Sequence, residues 1–253
     1  MARMPSVEYT RGLFVRGFAP PLALADFRLA AFDMDSTLIT IECVDEIAAM
    51  AGRKAEVAAI TEAAMRGEIA DYKESLRRRV ALLKGVPAEA LQRVYDERLR
   101  FNPGAEALVE ACRGAGLKTL LVSGGFTFFT DRVRDRLRID FTRSNVLEIE
   151  SGELTGRGLE GAILTGRLVD QPWGDICDGA EKKKVLLETC AALGIDPQRS
   201  FAVGDGANDL PMMAAAGLSV AYRAKPRVRD AAMVAIDEGG LDRLLEVLRP
   251  APR

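Results

Sequence analysis

The segment Ala31-Phe32-Asp33-Met34-Asp35-Ser36-Thr37-Leu38 sets the frame for the whole chain. It follows Phe27-Arg28-Leu29-Ala30, so a mostly apolar run stops at two carboxylates with one residue between them. Such a run, bounded by polar residues, reads as a buried strand. In an open α/β sheet, ligands gather at the carboxyl ends of the strands. Aspartates at i and i+2 on a turning backbone can offer one side-chain oxygen, one backbone carbonyl and one free carboxyl to a common point. Such a set suits magnesium, a hard cation that takes oxygen ligands. The plainer alternative is a strand that ends in an acidic turn, and these eight residues alone do not separate the two.

Downstream, residues 42–100 are rich in Ala, Glu, Arg and Leu and lack β-branched runs, which predicts helices. Gly85 and Pro87 interrupt them, and no strand intervenes. A helical bundle inserted after the first strand is therefore expected over residues 41–101, with the core made of residues 26–40 and 102–253. Pro103-Gly104 opens a helix to Arg113. Thr119-Leu120-Leu121-Val122 is a strand ending in Ser123-Gly124-Gly125, followed by a helix over residues 126–137. Glycines 152, 156 and 161 suggest β-hairpins between Asn145 and Asp170. A helix over residues 180–193 precedes a strand, Ser200-Phe201-Ala202-Val203, which ends in Gly204-Asp205-Gly206-Ala207-Asn208-Asp209. Strands at residues 218–221 and 234–236 and a helix over residues 241–248 close the pattern. Strands alternating with helices predict an α/β fold with a parallel sheet covered on both faces.

Composition narrows the chemistry. Among 253 residues, 48% are hydrophobic and 28% charged, an ordinary globular balance, and the net charge of −2 points to neither nucleic acid nor a membrane surface as partner. No run approaches a membrane span. The cysteines at 43, 112, 177 and 190 lie far apart with no CxxC pair, which predicts reduced thiols and a cytoplasmic protein. Residues 1–25 form an extension expected to pack on the core surface. Its apolar stretch is broken by Arg16 and a double proline, which argues against a signal peptide. Histidine is absent. That removes the usual general base and every Ser-His or Cys-His nucleophile, so carboxylates and lysines must carry any proton transfers.

Three predicted strands end in groups that suit a phosphoryl ester: Asp33 and Asp35, then Ser123 with the N–H groups of Gly124 and Gly125, then Asp205 and Asp209. One of Lys182, Lys183 and Lys184 can reach the same rim. Singly, these are a turn, a turn and a solvated lysine face. Together they fit phosphoryl transfer to a carboxylate. Asp33 attacks; Asp35 gives a proton to the leaving oxygen and later takes one from water; magnesium sits on Asp33, Asp205 and the Asp35 carbonyl.

Asp33-Met34-Asp35-Ser36-Thr37, Val122-Ser123-Gly124-Gly125, Lys182 and Gly204-Asp205-Gly206-Ala207-Asn208-Asp209 together resemble the four motifs of the haloacid dehalogenase-like superfamily. The likeness spans roughly residues 27–237. It implies a Rossmann-like three-layer core with a helical cap and a small β-hairpin insertion. It further implies that Ser123, Gly124, Lys182 and Asn208 bind phosphate, that Asp33, Asp35 and Asp205 hold Mg2+, and that Asp209 orients Lys182. Glu42 and Arg79, the latter in Ser75-Leu76-Arg77-Arg78-Arg79-Val80, match positions that meet a substrate's ammonium and carboxylate, and Met65 and Tyr72 match pocket-lining positions. A planar guanidinium suits a carboxylate bidentately. The substrate implied is O-phospho-L-serine, with phosphothreonine, phosphoethanolamine or a slow phospho-acceptor module as alternatives. The alternative for Glu42 and the arginines is a set of surface ion pairs. The likeness also implies a small-molecule partner, with a homodimer left open. Two departures stand out: about 25 residues before the first core strand are too few for the regulatory domain of many relatives, and residues 170–178 differ from the usual lead into the lysine helix.

Overall fold

The computed structural model describes residues 5–65, 68–69, 71–150, 161–171 and 176–250. The chain begins with strands β1 (Val7–Thr10), β2 (Leu13–Val15) and β3 (Leu22–Ala23), then enters β4 (Leu29–Phe32). Helices α1 (Cys43–Met50), α2 (Lys54–Met65), α3 (Tyr72–Ala81) and α4 (Glu89–Arg93) follow, the last running into a wider turn over Val94–Arg98. Then come α5 (Ala105–Gly114), β5 (Lys118–Phe126), α6 (Thr127–Leu137), β6 (Phe141–Asn145), β7 (Leu147–Glu150) and β8 (Ile163–Leu168). The carboxyl-terminal part holds α7 (Gly179–Leu193), β9 (Ser200–Gly204), α8 (Leu210–Ala215), β10 (Leu218–Tyr222), α9 (Pro226–Ala231), β11 (Val234–Ile236), α10 (Leu244–Val247) and β12 (Leu248–Arg249).

The main sheet has the order β1-β2-β11-β10-β9-β4-β5-β6. The six strands from β11 to β6 pair in parallel, and the β1–β2 hairpin joins β11 antiparallel. Alternation along each central strand explains why the sheet is covered twice. Ala30, Phe32, Leu121, Phe201 and Val203 enter one buried cluster, while Leu29, Ala31, Leu120, Val122 and Ala202 enter the other, against α7 and α8. On the first face Phe201 meets Phe27 and Phe32 edge-on at centroid distances of 5.8 and 6.0 Å. Burying a ring such as Phe201 contributes roughly 1.5–3 kcal/mol. This is the three-layer α/β fold expected from the motifs.

Several elements depart from the sequence expectation. Residues 7–15 do not lie on the core surface; they extend the sheet as an edge hairpin. β6 is a strand the sequence did not announce, because Phe-Thr-Arg-Ser-Asn carries polar residues on its buried side. Ser144 and Asn145 are 4% and 5% exposed. The closing helix is short, and Leu248 leaves it to pair with β3. A β7–β8 hairpin stands where hairpins were expected, with residues 151–160 outside the described part.

Two antiparallel linkers connect the α1–α4 helices to the sheet. Thr40 donates to the Arg100 carbonyl at 2.9 Å and Asn102 to the Leu38 carbonyl at 2.9 Å. A second tie comes from β8: Gly85 donates to Leu164, Leu164 to Val86 and Ala88 to Ala162, at 2.8, 2.9 and 2.8 Å.

Candidate active site

Strand register builds the site. Phe32 lies beside Leu121 on one neighbour and Val203 on the other. The next residues, Asp33, Val122 and Gly204, are therefore level, and Ser123 and Asp205 follow one step beyond. The Asp33 N–H donates to the Val203 carbonyl at 3.0 Å, which holds the carboxylate at that rim. After Asp33 the chain makes a tight turn in which Ser36 adopts φ +57°, a left-handed conformation uncommon for a residue with a side chain. Asn102 stabilises this turn. Its amide donates to the carbonyls of Ser36, Thr37 and Ile39 at 3.3, 2.8 and 3.0 Å.

Lys182 reaches the rim from α7, whose first turn is capped by the Asp178 carboxylate accepting from Glu181 N–H at 2.9 Å. Of the three consecutive lysines it is the buried one, while Lys183 and Lys184 are exposed. Its ammonium donates to Asp33 Oδ1 at 2.5 Å and to Asp209 Oδ1 at 2.6 Å. Burial works against that charge, but Asp209 and Asp33 outweigh it and hold the pKa well above the usual lysine range. Asp209 Oδ2 accepts from the N–H groups of Asp205 and Gly206 at 3.1 and 3.0 Å. The loop can wrap this carboxylate because residue 204 is glycine: a Cβ there would sit 2.4 Å from Asp209 Oδ2.

Asp33, Asp205 and Asp209 bring carboxylate oxygens within 4.8 Å of one another. Burial first, then repulsion from Asp209, raises Asp33; the same two causes push Asp205 up to about 7. Three crowded, buried carboxylates facing one ammonium are the donor set a divalent cation relieves. With both Asp209 oxygens engaged, Asp33 and Asp205 are the carboxylates free to ligate. Thr37 Oγ1 steadies Asp205 Oδ1 at 3.3 Å.

Asp35 stands apart from this knot. Its Oδ2 accepts weakly from Cys43 N–H at 3.4 Å, and its buried Oδ1 has no partner among the described residues. Burial, then Glu42, pushes it up to about 8, so at neutral pH the carboxyl keeps its proton. Opposite Asp35, Ser123 Oγ accepts the Gly125 N–H at 2.8 Å, which leaves its own proton for a ligand oxygen. Gly125 lies between them: a Cβ there would be 3.0 Å from Ser123 Oγ and 3.2 Å from Asp35 Oδ2. The Tyr72 hydroxyl rests on the bare Gly124 backbone, where a Cβ would approach to 2.0 Å.

Asp33, Asp35, Tyr72, Ser123, Gly124, Gly125 and Asp205 line one cavity of about 610 Å³, which also includes Asn208. Helices α1–α3 form its other wall with Glu42, Asp45, Tyr72, Ser75, Leu76 and Arg79. Glu42 opens onto the cavity and accepts from Ser36 Oγ at 2.8 Å. Burial raises its pKa; Ser36, Arg79 and Lys225 pull the other way. Arg79 Nε and Asp45 Oδ1 are buried and unpartnered among the described residues. Met65 ends α2, but its side chain lies outside the described part. Sequence reasoning missed Asn102, Asp45, Lys225 and Arg227, the last three of which line the same cavity. Lone residues without motif spacing leave no signal.

The haloacid dehalogenase-like hydrolase family model matches residues 30–214. The chain belongs to that family. A phosphoserine phosphatase of Polaromonas sp. is 69% identical over 97% of this chain and 100% of the relative. One of Archaeoglobus fulgidus is 45% identical over 88% of this chain and 60% of the relative. Among solved structures, a probable phosphoserine phosphatase from Vibrio cholerae in unliganded form superposes with TM-score 0.76 at 40% identity, over 93% of this chain and 68% of that one. A substrate-bound phosphoserine phosphatase complex gives TM-score 0.77 at 33% identity, over 88% and 99%. Among the described residues no helix is long and apolar enough to cross a membrane.

Proposed function

We propose that this hydrolase is a cytoplasmic enzyme cleaving O-phospho-L-serine to L-serine and phosphate, the closing step of a serine-forming sequence. The observation that carries this reading is the two-ended cavity. One end gathers Asp33, Ser123 and Asp205, with Lys182 bonded to Asp33 from behind; the other presents Glu42 and Arg79. The first end fits a phosphoryl group. The second fits a zwitterion, with the ammonium on Glu42 and the carboxylate on Arg79, whose Nε has no partner among the described residues. The names of the relatives support the same substrate.

Ser123 O–H, the Gly124 backbone N–H and Asn208 hold the phosphoryl oxygens, and the Lys182 ammonium offsets their charge. Asp33 attacks phosphorus in line and forms an aspartyl phosphate. Asp35, protonated at neutral pH, gives its proton to the departing serine oxygen. The resulting carboxylate then takes a proton from water as it attacks the acyl phosphate. Asp33, Asp205 and the Asp35 carbonyl would hold Mg2+, which would neutralise charge between carboxylate and phosphate. Tyr72 and α3 close over the phosphate loop and exclude bulk water.

A phosphate-release screen over phosphoserine, phosphothreonine and phosphoethanolamine, with and without Mg2+, tests this. Phosphoserine is expected to have the highest kcat/KM, and chelation to abolish turnover. A higher kcat/KM for either other ester would move the assignment to that substrate; a stable phosphoenzyme without multiple turnover would replace it with a phospho-acceptor role.

A further inference from the structure

We infer that Asn145 is a positioning residue that fixes the phosphate-binding peptide against the lead-in to the lysine helix. The inference rests on the assignment of Ser123 and Lys182 to the phosphoryl group. Asn145 ends β6 and is 5% exposed. Its Nδ2 donates to the Gly124 carbonyl at 2.8 Å, and its Oδ1 accepts from the Cys177 N–H at 2.9 Å. The two contacts fix the amide's orientation, since a carbonyl accepts only from the NH2 side and an N–H donates only to the oxygen.

The Gly124 carbonyl and the Gly125 N–H belong to one peptide plane. Asn145 holds the carbonyl end and Ser123 Oγ accepts from the N–H end at 2.8 Å. The plane is therefore clamped at both ends, and the Ser123 hydroxyl, already used as an acceptor, must aim its proton elsewhere. At its other contact Asn145 holds Cys177, one residue before the Asp178 cap of α7. The Asp178 carbonyl in turn accepts from the Lys182 N–H at 2.8 Å. One buried amide thus joins the wall carrying Ser123 to the wall carrying Lys182.

Substitution separates positioning from mere packing. Alanine removes both contacts. Aspartate is nearly isosteric but, when ionised, turns an acceptor toward the Gly124 carbonyl; once protonated it can donate there and accept from Cys177, as the amide does. Arg77, Arg167 and Asp170 line a cavity with Asn145, and Lys182, Arg143, Glu181 and Asp33 act on the adjoining Cys177, so an introduced carboxylate has cations and carboxylates on both sides.

The test measures product inhibition by inorganic phosphate and by L-serine for the Mg2+-loaded enzyme and for Asn145→Ala, Asn145→Asp and Ser123→Ala. Asn145→Ala should raise Ki for phosphate about tenfold, the loss of a buried hydrogen bond, and leave Ki for L-serine within about twofold. Asn145→Asp should show the same loss near about pH 8 and recover relative to the unaltered enzyme as pH falls toward about 5.5, where a buried carboxyl protonates. That recovery also answers the case in which the alanine variant does not fold. If Ser123→Ala weakens phosphate while Asn145→Ala does not, or weakens serine equally, or if Asn145→Asp shows no acid recovery, the inference is overturned. If Ser123→Ala leaves phosphate inhibition unchanged, the phosphate-site assignment falls and this inference falls with it.

Discussion

The two ends of the cavity are built on opposite principles. At the strand rim, Asp33, Lys182 and Asp209 form a buried chain of ion pairs, and Asp209 also accepts two backbone N–H groups. At the helical wall, Arg79 Nε and Asp45 Oδ1 are buried without a partner among the described residues. Leaving a buried polar group unsatisfied costs about 1–3 kcal/mol, more for a charged one. The Asp33–Lys182–Asp209 chain has settled that cost internally and is preorganised for chemistry, while Asp35 Oδ1 beside it is unpartnered among the described residues. The helical wall leaves it outstanding, to be offset when a ligand of matching charge arrives. Rigidity at one end and unmet polar demand at the other distinguish the reacting group from the part that identifies the substrate.

The largest expected effect comes from the rim. Asp33→Asn replaces a carboxylate nucleophile by a poor one and should reduce phosphate release to background, a loss on the order of 10⁵. A variant keeping a tenth of the original rate would break the assignment of Asp33. Next comes Asp35→Asn, which leaves the ion-pair chain intact but removes the proton donor. A fall in kcat of roughly 10²–10⁴ with KM nearly constant is expected. An unchanged kcat in a steady-state assay would transfer the acid role to another group.

The helical wall should respond differently. Arg79→Ala is expected to lower kcat/KM for phosphoserine by roughly 10²-fold while phosphoethanolamine, which lacks the carboxylate, stays within about threefold. Equal losses for the two esters would mean that Arg79 supports the wall rather than reads the substrate.

The rim was legible in the sequence because its chemistry is tied to strand ends. An apolar run that stops at Asp33, and another that stops at Gly204-Asp205, predict both a strand and the placement of its carboxylates. Parallel register then aligns them without further information. Asn102 and Asn145 were illegible for the opposite reason. Each is a single amide whose role depends on backbone groups far away in sequence, such as Gly124 and Cys177. β6 left no signal because Phe141–Asn145 shows neither an apolar run nor a two-residue alternation, its buried residues being Ser144 and Asn145. The edge hairpin at residues 7–15 was missed because strands of four and three residues are too short to show a period.

The smallest expected effect sharpens the comparison within one helix. Tyr72, Ser75, Leu76 and Arg79 all line the cavity. Their spacing of i, i+3, i+4 and i+7 is one face of α3. Arg78 falls off that stripe, and its guanidinium pairs with Glu74 at 2.7 Å in an exposed i,i+4 contact, with side chains 54% and 45% accessible. Such pairs contribute little in water because solvent screens them and two long side chains must be ordered. Arg78→Ala should therefore change unfolding free energy by less than about 0.5 kcal/mol and leave kcat/KM for both esters unaltered. Denaturant midpoints and the same two-ester assay check this. If Arg78→Ala reproduced the selectivity loss of Arg79→Ala, the effect would belong to the positive charge of α3 as a whole. If it does not, recognition rests on the one guanidinium that the helical period turns toward the cavity.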